Sequence, residues 1–143
     1  PKTFHMEDSL MEKAYKEPTF LTDKNHIIVL EAIIGAANAA IPDSLEPFEV
    51  LVPNTSDGAA EKHLPIIETN GSHVTVKVGS NSHPMSEEHS ISFVCLLTQA
   101  GEVMRVYLSP HCEPVAHFTV EKGDAPAAAY AYCNLHGFWK TEA

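Results

Sequence analysis

The chain is 143 residues long, 44% hydrophobic and 20% charged, and nine Lys and Arg against nineteen Asp and Glu give it a net charge of -10. That length suits one ordinary domain with a small appendage, and the apolar fraction excludes a largely disordered chain. The few, scattered cations exclude a nucleic-acid footprint, so any anionic substrate must be drawn by a local positive site.

From the N-terminus, Met6 to Lys16 predicts one short helix with Leu10, Met11 and Ala14 on a face. The opening PKTFHMEDSLMEKAYKE is polar and acidic with no hydrophobic signal region, which leads to the expectation of a cytoplasmic protein. The apolar run IIVLEAIIGAANAAIP is interrupted by Glu31 and Asn38. It falls short of the roughly 20 residues of a membrane span and reads as core. Pro, Asn, Ser, Asp and Gly cluster in PNTSDGAAEK, residues 53–62. This cluster predicts a boundary between a small N-terminal unit, residues 1–52, and a larger domain, residues 53–143.

Beyond the boundary the chain reads as strand. IIETNGSHVTVKVG predicts a hairpin closed by a type I′ turn at Asn70-Gly71, followed by Val74, Val76 and Val78 alternating with Thr75 and Lys77. Further strands are expected at 90–98, 103–109, 115–120 and 127–133. Short strands at regular spacing indicate an all-β sandwich or barrel. The alanine-rich patches AANAA and APAAAYA carry no chemistry.

Three cysteines, Cys95, Cys112 and Cys133, make an odd count that argues against a disulfide framework and for separate reduced thiols. Nine histidines are the larger anomaly. Four short patterns carry histidine into loops or strand edges: EKHLP at 61–65, HPM at 83–85, EEH at 87–89 and CNLH at 133–136. Pro65 and Pro84 stiffen the backbone beside His63 and His83. Each histidine alone reads as a surface loop residue, whereas four together with a cysteine suit a metal, since imidazole is the commonest ligand and thiolate a soft, strong one. C-x-x-H by itself is a weak zinc signal because it lacks a second ligand pair. Zinc stays open, while the histidine excess favours iron or copper. A blue-copper site would need an axial Met, and none follows His136; Met85 lies on an earlier loop.

Taken together, EKHLP, KVGSNSHPMSEEH and YCNLHGFWK resemble the superoxide reductases, also called desulfoferrodoxins or neelaredoxins, in that family's order and over about Val52 to Lys140. The resemblance implies an immunoglobulin-like β-sandwich with a small N-terminal domain or extension. It also implies one iron ion per chain, held at the loop end by four equatorial histidines, His63, His83, His89 and His136, and an axial thiolate, Cys133. The implied reaction is one-electron reduction of superoxide to hydrogen peroxide at the vacant sixth position. Glu61 and Lys62 match the family's EKH pair, in which the lysine stands near the open position and the glutamate can occupy it in the oxidised state.

Physical chemistry is consistent with this. Four neutral imidazoles and one thiolate leave Fe²⁺ with a net charge of about +1, which attracts an anion even on an acidic protein. Lys62 would strengthen that attraction, and steering of this kind raises association rates by about 10 to 10³-fold. A thiolate opposite the vacancy donates electron density. Because a trans thiolate in haem enzymes favours O–O cleavage, proton delivery must decide the product, with Lys62, a water it orders or Glu61 as the source.

Two-iron relatives carry four cysteines in the N-terminal domain. Aligning FLTDKNHIIVL and DSLEPFEVLVPNT with those segments puts Thr22, Asn25, Asp43 and Ser44 in their places, and none replaces a soft thiolate. Residues 1–52 are therefore expected to be a desulforedoxin-like unit without metal ligands, with a role in dimerisation through the apolar run Ile27 to Ile41. The resemblance also implies rubredoxin or a similar small electron donor and a homo-oligomer, dimer or tetramer, with no nucleic-acid or membrane partner. The alternative is a non-catalytic β-sandwich holding zinc, or an electron-transfer protein. His5, His26, His73, His111 and His117 read as structural or surface residues, Cys95 as a buried hydrophobe, Cys112 as a loop thiol, and Trp139 as a wall beside the metal loop.

Overall fold

The computed structural model describes residues 15–35, 41 and 43–143. Residues 6–14 of the expected first helix lie outside this range, and Tyr15 and Lys16 are not helical. No helix among the described residues is long and apolar enough to cross a membrane.

Among the described residues, ten strands form three antiparallel sheets: β1 (Thr19–Thr22), β2 (Val29–Ala32), β3 (Glu49–Val50), β4 (Pro65–Asn70), β5 (His73–Val78), β6 (Ile91–Thr98), β7 (Val103–Tyr107), β8 (Val115–Thr119), β9 (Pro126–Cys133) and β10 (Gly137–Glu142). Helix among the described residues is confined to a 3-10 turn at Asp43–Leu45 and one α-helical turn, α1 (Ala60–His63). The sheet orders are β2-β1-β3, β10-β9-β6-β7 and β4-β5-β8. The last two make a four-on-three sandwich of the immunoglobulin kind.

Alternation decides which residues fill it. In β5, Val74, Val76 and Val78 turn inward and are fully buried, while His73 and Lys77 face out. They meet Ile91, Val94 and Leu96 of β6, Ala116 and Phe118 of β8, and Ala129, Ala131 and Cys133 of β9. Each such aliphatic side chain contributes about 1.5–3 kcal/mol by leaving water.

β9 is buried at all eight positions because it has a core on each side. Its outer face carries Tyr130 and Tyr132, which with Phe93, Cys95, Leu97 and Phe138 form a second cluster. Phe20 of β1 plugs into it, with ring centroids 5.5 Å from Phe93 and 5.2 Å from Phe138. The N-terminal sheet is thus a third layer over the outside of the sandwich. The alanines of APAAAYA are what let one strand pack on both faces between bulky neighbours, a packing role invisible in the composition.

Three local expectations change. The β4–β5 register pairs Asn70 with His73, so the hairpin loop is Gly71-Ser72, one residue later than expected. Gly71 has φ +63 and Ser72 is not among the positive-φ residues, which fits a II′ turn with glycine first rather than I′. The tail GFWKTE forms a further strand, β10, paired with β9. The apolar run after Ile27 is not core among its described residues: Ile27 is 77% and Ile34 83% exposed, because β2 is the edge of its sheet and only Val29 packs inward.

Candidate metal centre

The antiparallel order brings the start of β4, the end of β5, the start of β6 and the β9–β10 turn to one end of the sandwich. Each sequence pattern with histidine sits on a connection at that end. His63 closes α1, just before β4. His83 and His89 lie in the loop from β5 to β6, and Cys133 and His136 bracket the turn from β9 to β10.

One ligating atom each from His63, His83, His89 and Cys133 lie within 4.8 Å of one another, the single such group among the described residues. His63, His83 and Cys133 are buried and His89 half-buried. His136 stands outside this tightest group but inside the same cluster. Its ring centroid is 4.8 Å from that of His63 and 5.1 Å from that of His89, and its Nδ1 is 3.9 Å from Cys133 Sγ. Glu61 and Lys62 sit on the exposed side of α1.

Backbone carbonyls set the tautomers. His63 donates Nδ1–H to Ala59 O at 2.8 Å, and His83 donates Nδ1–H to Pro84 O at 2.7 Å. Their Nε2 lone pairs are left to face inward, and Nε2 of His63, His83 and His89 are all buried without a hydrogen-bond partner. Orphaned buried polar atoms cost about 1–3 kcal/mol each. Three converging on a thiol describe a place for a cation, since a ligating histidine commonly gives its other N–H to a carbonyl.

Electrostatics agree. Burial pulls all three histidines below their ordinary range, His83 to about 4, with mutual repulsion and the nearby Lys62 ammonium assisting at His63 and His89. The rings are therefore neutral, as ligation requires. Burial also pushes the Cys133 thiol up, opposed by the backbone N–H of His136 and Leu135; that of His136 donates to Sγ at 3.3 Å. A positive charge at the centre would work with those N–H groups to favour the thiolate.

Other residues support the ligands, most of them without a signal in the sequence. Trp139 was expected as a wall, and its indole stacks on the His63 ring at 4.8 Å and 22° while Nε1–H donates to His136 O at 2.9 Å. Asn134 ties two loops together: Oδ1 accepts from Ser90 N–H at 3.0 Å and Nδ2 donates to Glu88 O at 2.9 Å. Gly79, at φ +91, lets the β5 exit pass under α1, where a Cβ would sit 2.4 Å from Asn81 O and 2.7 Å from Lys62 O. A Cβ on Gly58 would press on His63 and His136 at 3.2–3.3 Å. Asn134 adjoins Cys133 and Gly79 opens GSNSHP, but only the folded contacts give either a task.

The remaining sequence candidates lie elsewhere. Cys95 is buried in the outer cluster, where burial pushes its thiol up to about 11, and Cys112 is exposed in a loop. His111 meets Glu87 at 2.8 Å, His26 occupies a turn at φ +58, and His5 is outside the described residues. Thr22 ends β1, with its hydroxyl donating to Ile28 O at 3.1 Å, and Asp43 and Ser44 lie in the 3-10 turn.

The family model for desulfoferrodoxin matches residues 55–142. A desulfoferrodoxin of Syntrophotalea carbinolica is 40% identical over 114 residues, 80% of this chain and 87% of that protein. Among solved structures, the superoxide reductase from Treponema pallidum superposes with a TM-score of 0.75 at 33% identity, over 89% of this chain and all of that one. The one-iron superoxide reductase from Giardia intestinalis gives 0.51 at 31% identity over 58% of this chain and 97% of its own. A match spanning the sandwich from the loop before α1 to the last strand, and enclosing all five clustered side chains, leaves one assignment: the chain belongs to the desulfoferrodoxin family.

Proposed function

We propose that this protein is a superoxide reductase, converting superoxide to hydrogen peroxide by one-electron reduction. The observation that carries the reading is the meeting of three partnerless buried Nε2 atoms with the Cys133 sulfur at one end of the sandwich. His63, His83, His89, His136 and Cys133 would hold one iron ion, which when bound supplies the electron for each superoxide.

The chain's own residues have separable tasks. Ala59 O and Pro84 O fix the orientation of two imidazoles, and the N–H groups of Leu135 and His136 favour the charged form of Cys133. Lys62, exposed on α1, draws the anionic substrate toward a protein of net charge -10. Glu61 or Lys62 delivers protons so that peroxide leaves intact. Residues 53–143 carry this reaction, and residues 1–52 form an N-terminal unit without metal ligands; the end of its sheet at Val50 and the loop that follows support this division. The exposed Ile27, Ile28, Ile33 and Ile34 support self-association through that unit. A small electron donor such as rubredoxin, docking near the site end, would return the iron to the ferrous state.

The test is metal analysis with visible spectra of both redox states, and superoxide decay after pulse radiolysis. We expect one iron per chain, a thiolate charge-transfer band on oxidation, and loss of that band with a fall in activity on the order of 10²-fold or more in Cys133→Ser. Colourless protein holding stoichiometric zinc after expression with ample iron would overturn the assignment.

A further inference from the structure

The outer face of the β4-β5-β8 sheet carries a second group of metal-ligating side chains, none of them a member of the candidate metal centre. His73 on β5 and His117 on β8 are diagonal neighbours, since His73 pairs with Thr119 and Thr75 with His117. Both are exposed, the rings lie 5.3 Å apart at 27°, and His73 Nε2 is 3.2 Å from His117 Nδ1. Two bonds of about 2.1 Å from imidazole nitrogens to one ion, opening at about 100°, span that same separation. The backbone register holds the pair together, so chelation costs only small rotations of two exposed rings.

From this geometry we propose that His73 and His117 form a surface site for a divalent transition ion, with water completing the coordination. Two imidazoles select the borderline ions, Cu²⁺ most strongly and Ni²⁺ and Zn²⁺ after it, over Mg²⁺ or Ca²⁺, which prefer oxygen. The neighbouring charges on this face, Glu68 and Lys77, compensate each other at 3.9 Å and leave the pair in a neutral field. In the free protein one of the two facing nitrogens carries a proton and donates it to the other. On ion binding that proton moves to the far nitrogen of its own ring, leaving a lone pair on each facing nitrogen and releasing no proton overall.

Titration of the full, iron-loaded chain with NiCl₂ at pH 7.5, followed calorimetrically, tests this. Nickel is chosen because it does not oxidise thiols, and iron content measured before and after separates this site from the buried cluster. One Ni²⁺ per chain is expected at the pair. His73→Ala and His117→Ala should each weaken that step by on the order of 10-fold or more, because a chelate loses its effective concentration when either arm goes. The double variant should lose little beyond either single, and His111→Ala should leave the step unchanged. Both residues are exposed, so fold and iron content should survive. The proposal is overturned if the double variant titrates like the parent, or if the two single losses simply add.

Discussion

The protein holds two groups of histidines that differ in almost everything except the residue type. At the end of the sandwich, His63, His83 and His89 converge from two connections, each with an Nε2 buried and partnerless. On the sheet face, His73 and His117 stand exposed and partner each other. The first group is held by backbone and side chains together: a helical turn, carbonyls that fix tautomers, an indole behind and an asparagine bolting loops together. Strand register holds the second, helped by the mutual hydrogen bond and by Thr75 Oγ1 at 3.4 Å from His117 Nδ1. Bringing imidazoles close is therefore cheap, whereas keeping their inward nitrogens dry, neutral and unpaired requires a fold organised around them.

That contrast predicts that substitutions behind the buried group are costly while those at its rim affect rate alone. The largest effect is expected at Trp139, which is buried and stacked on His63. Trp139→Ala should cost about 3–5 kcal/mol in chemical denaturation and loosen the metal, because His63 loses the surface that holds it. A loss under about 1 kcal/mol would mean that the stack is incidental.

An intermediate effect is expected at Asn134, which makes two side-chain hydrogen bonds to the loop carrying His89. Asn134→Ala should cost about 1–3 kcal/mol and broaden the spectrum of the bound metal, with Asn134→Asp restoring only the acceptor half. An unperturbed spectrum would show that the His89 loop is fixed without Asn134, by the hydrogen bonds between Ser86 and His89, in which His89 N–H donates to Ser86 Oγ at 3.1 Å and Ser86 N–H donates to His89 O at 2.9 Å.

The smallest structural effect belongs to Lys62, exposed at the rim. Lys62→Ala should leave stability within about 0.5 kcal/mol and metal content unchanged. Its bimolecular rate with superoxide should fall about 10-fold at low salt and depend less on ionic strength. An unchanged rate at low salt would remove Lys62 from the steering role.

Much of this was legible in the sequence, for physical reasons. Period-two alternation marks β5, and the apolar letters of 93–97 mark the strand that becomes β6. The loop histidines stood out because Pro65 and Pro84 flank two of them. The hairpin turn was misplaced by one residue since Asn-Gly suits I′ locally, whereas the pairing of Asn70 with His73 moved the loop to Gly71-Ser72. β10 went unread because Gly137 and the polar Lys140, Thr141 and Glu142 resemble a tail, and only pairing with β9 orders them. The described part of the run from Ile27 reads as core in the sequence and is exposed in the fold, because apolarity alone does not tell an edge strand from a central one. The stack of Trp139 on His63, the bonds of Asn134 to Ser90 and Glu88, and the approach of Gly58 to His136 join residues about 45 to 80 positions apart, beyond any local pattern.

Cys133 is the last residue of β9, the strand enclosed on both sides. Local opening draws on segments with few buried contacts, and this strand has the opposite character. Its sulfur is thus mounted on the part of the molecule that yields last. Any loosening of the centre should therefore begin at the histidine-bearing connections, with the sulfur as the fixed point.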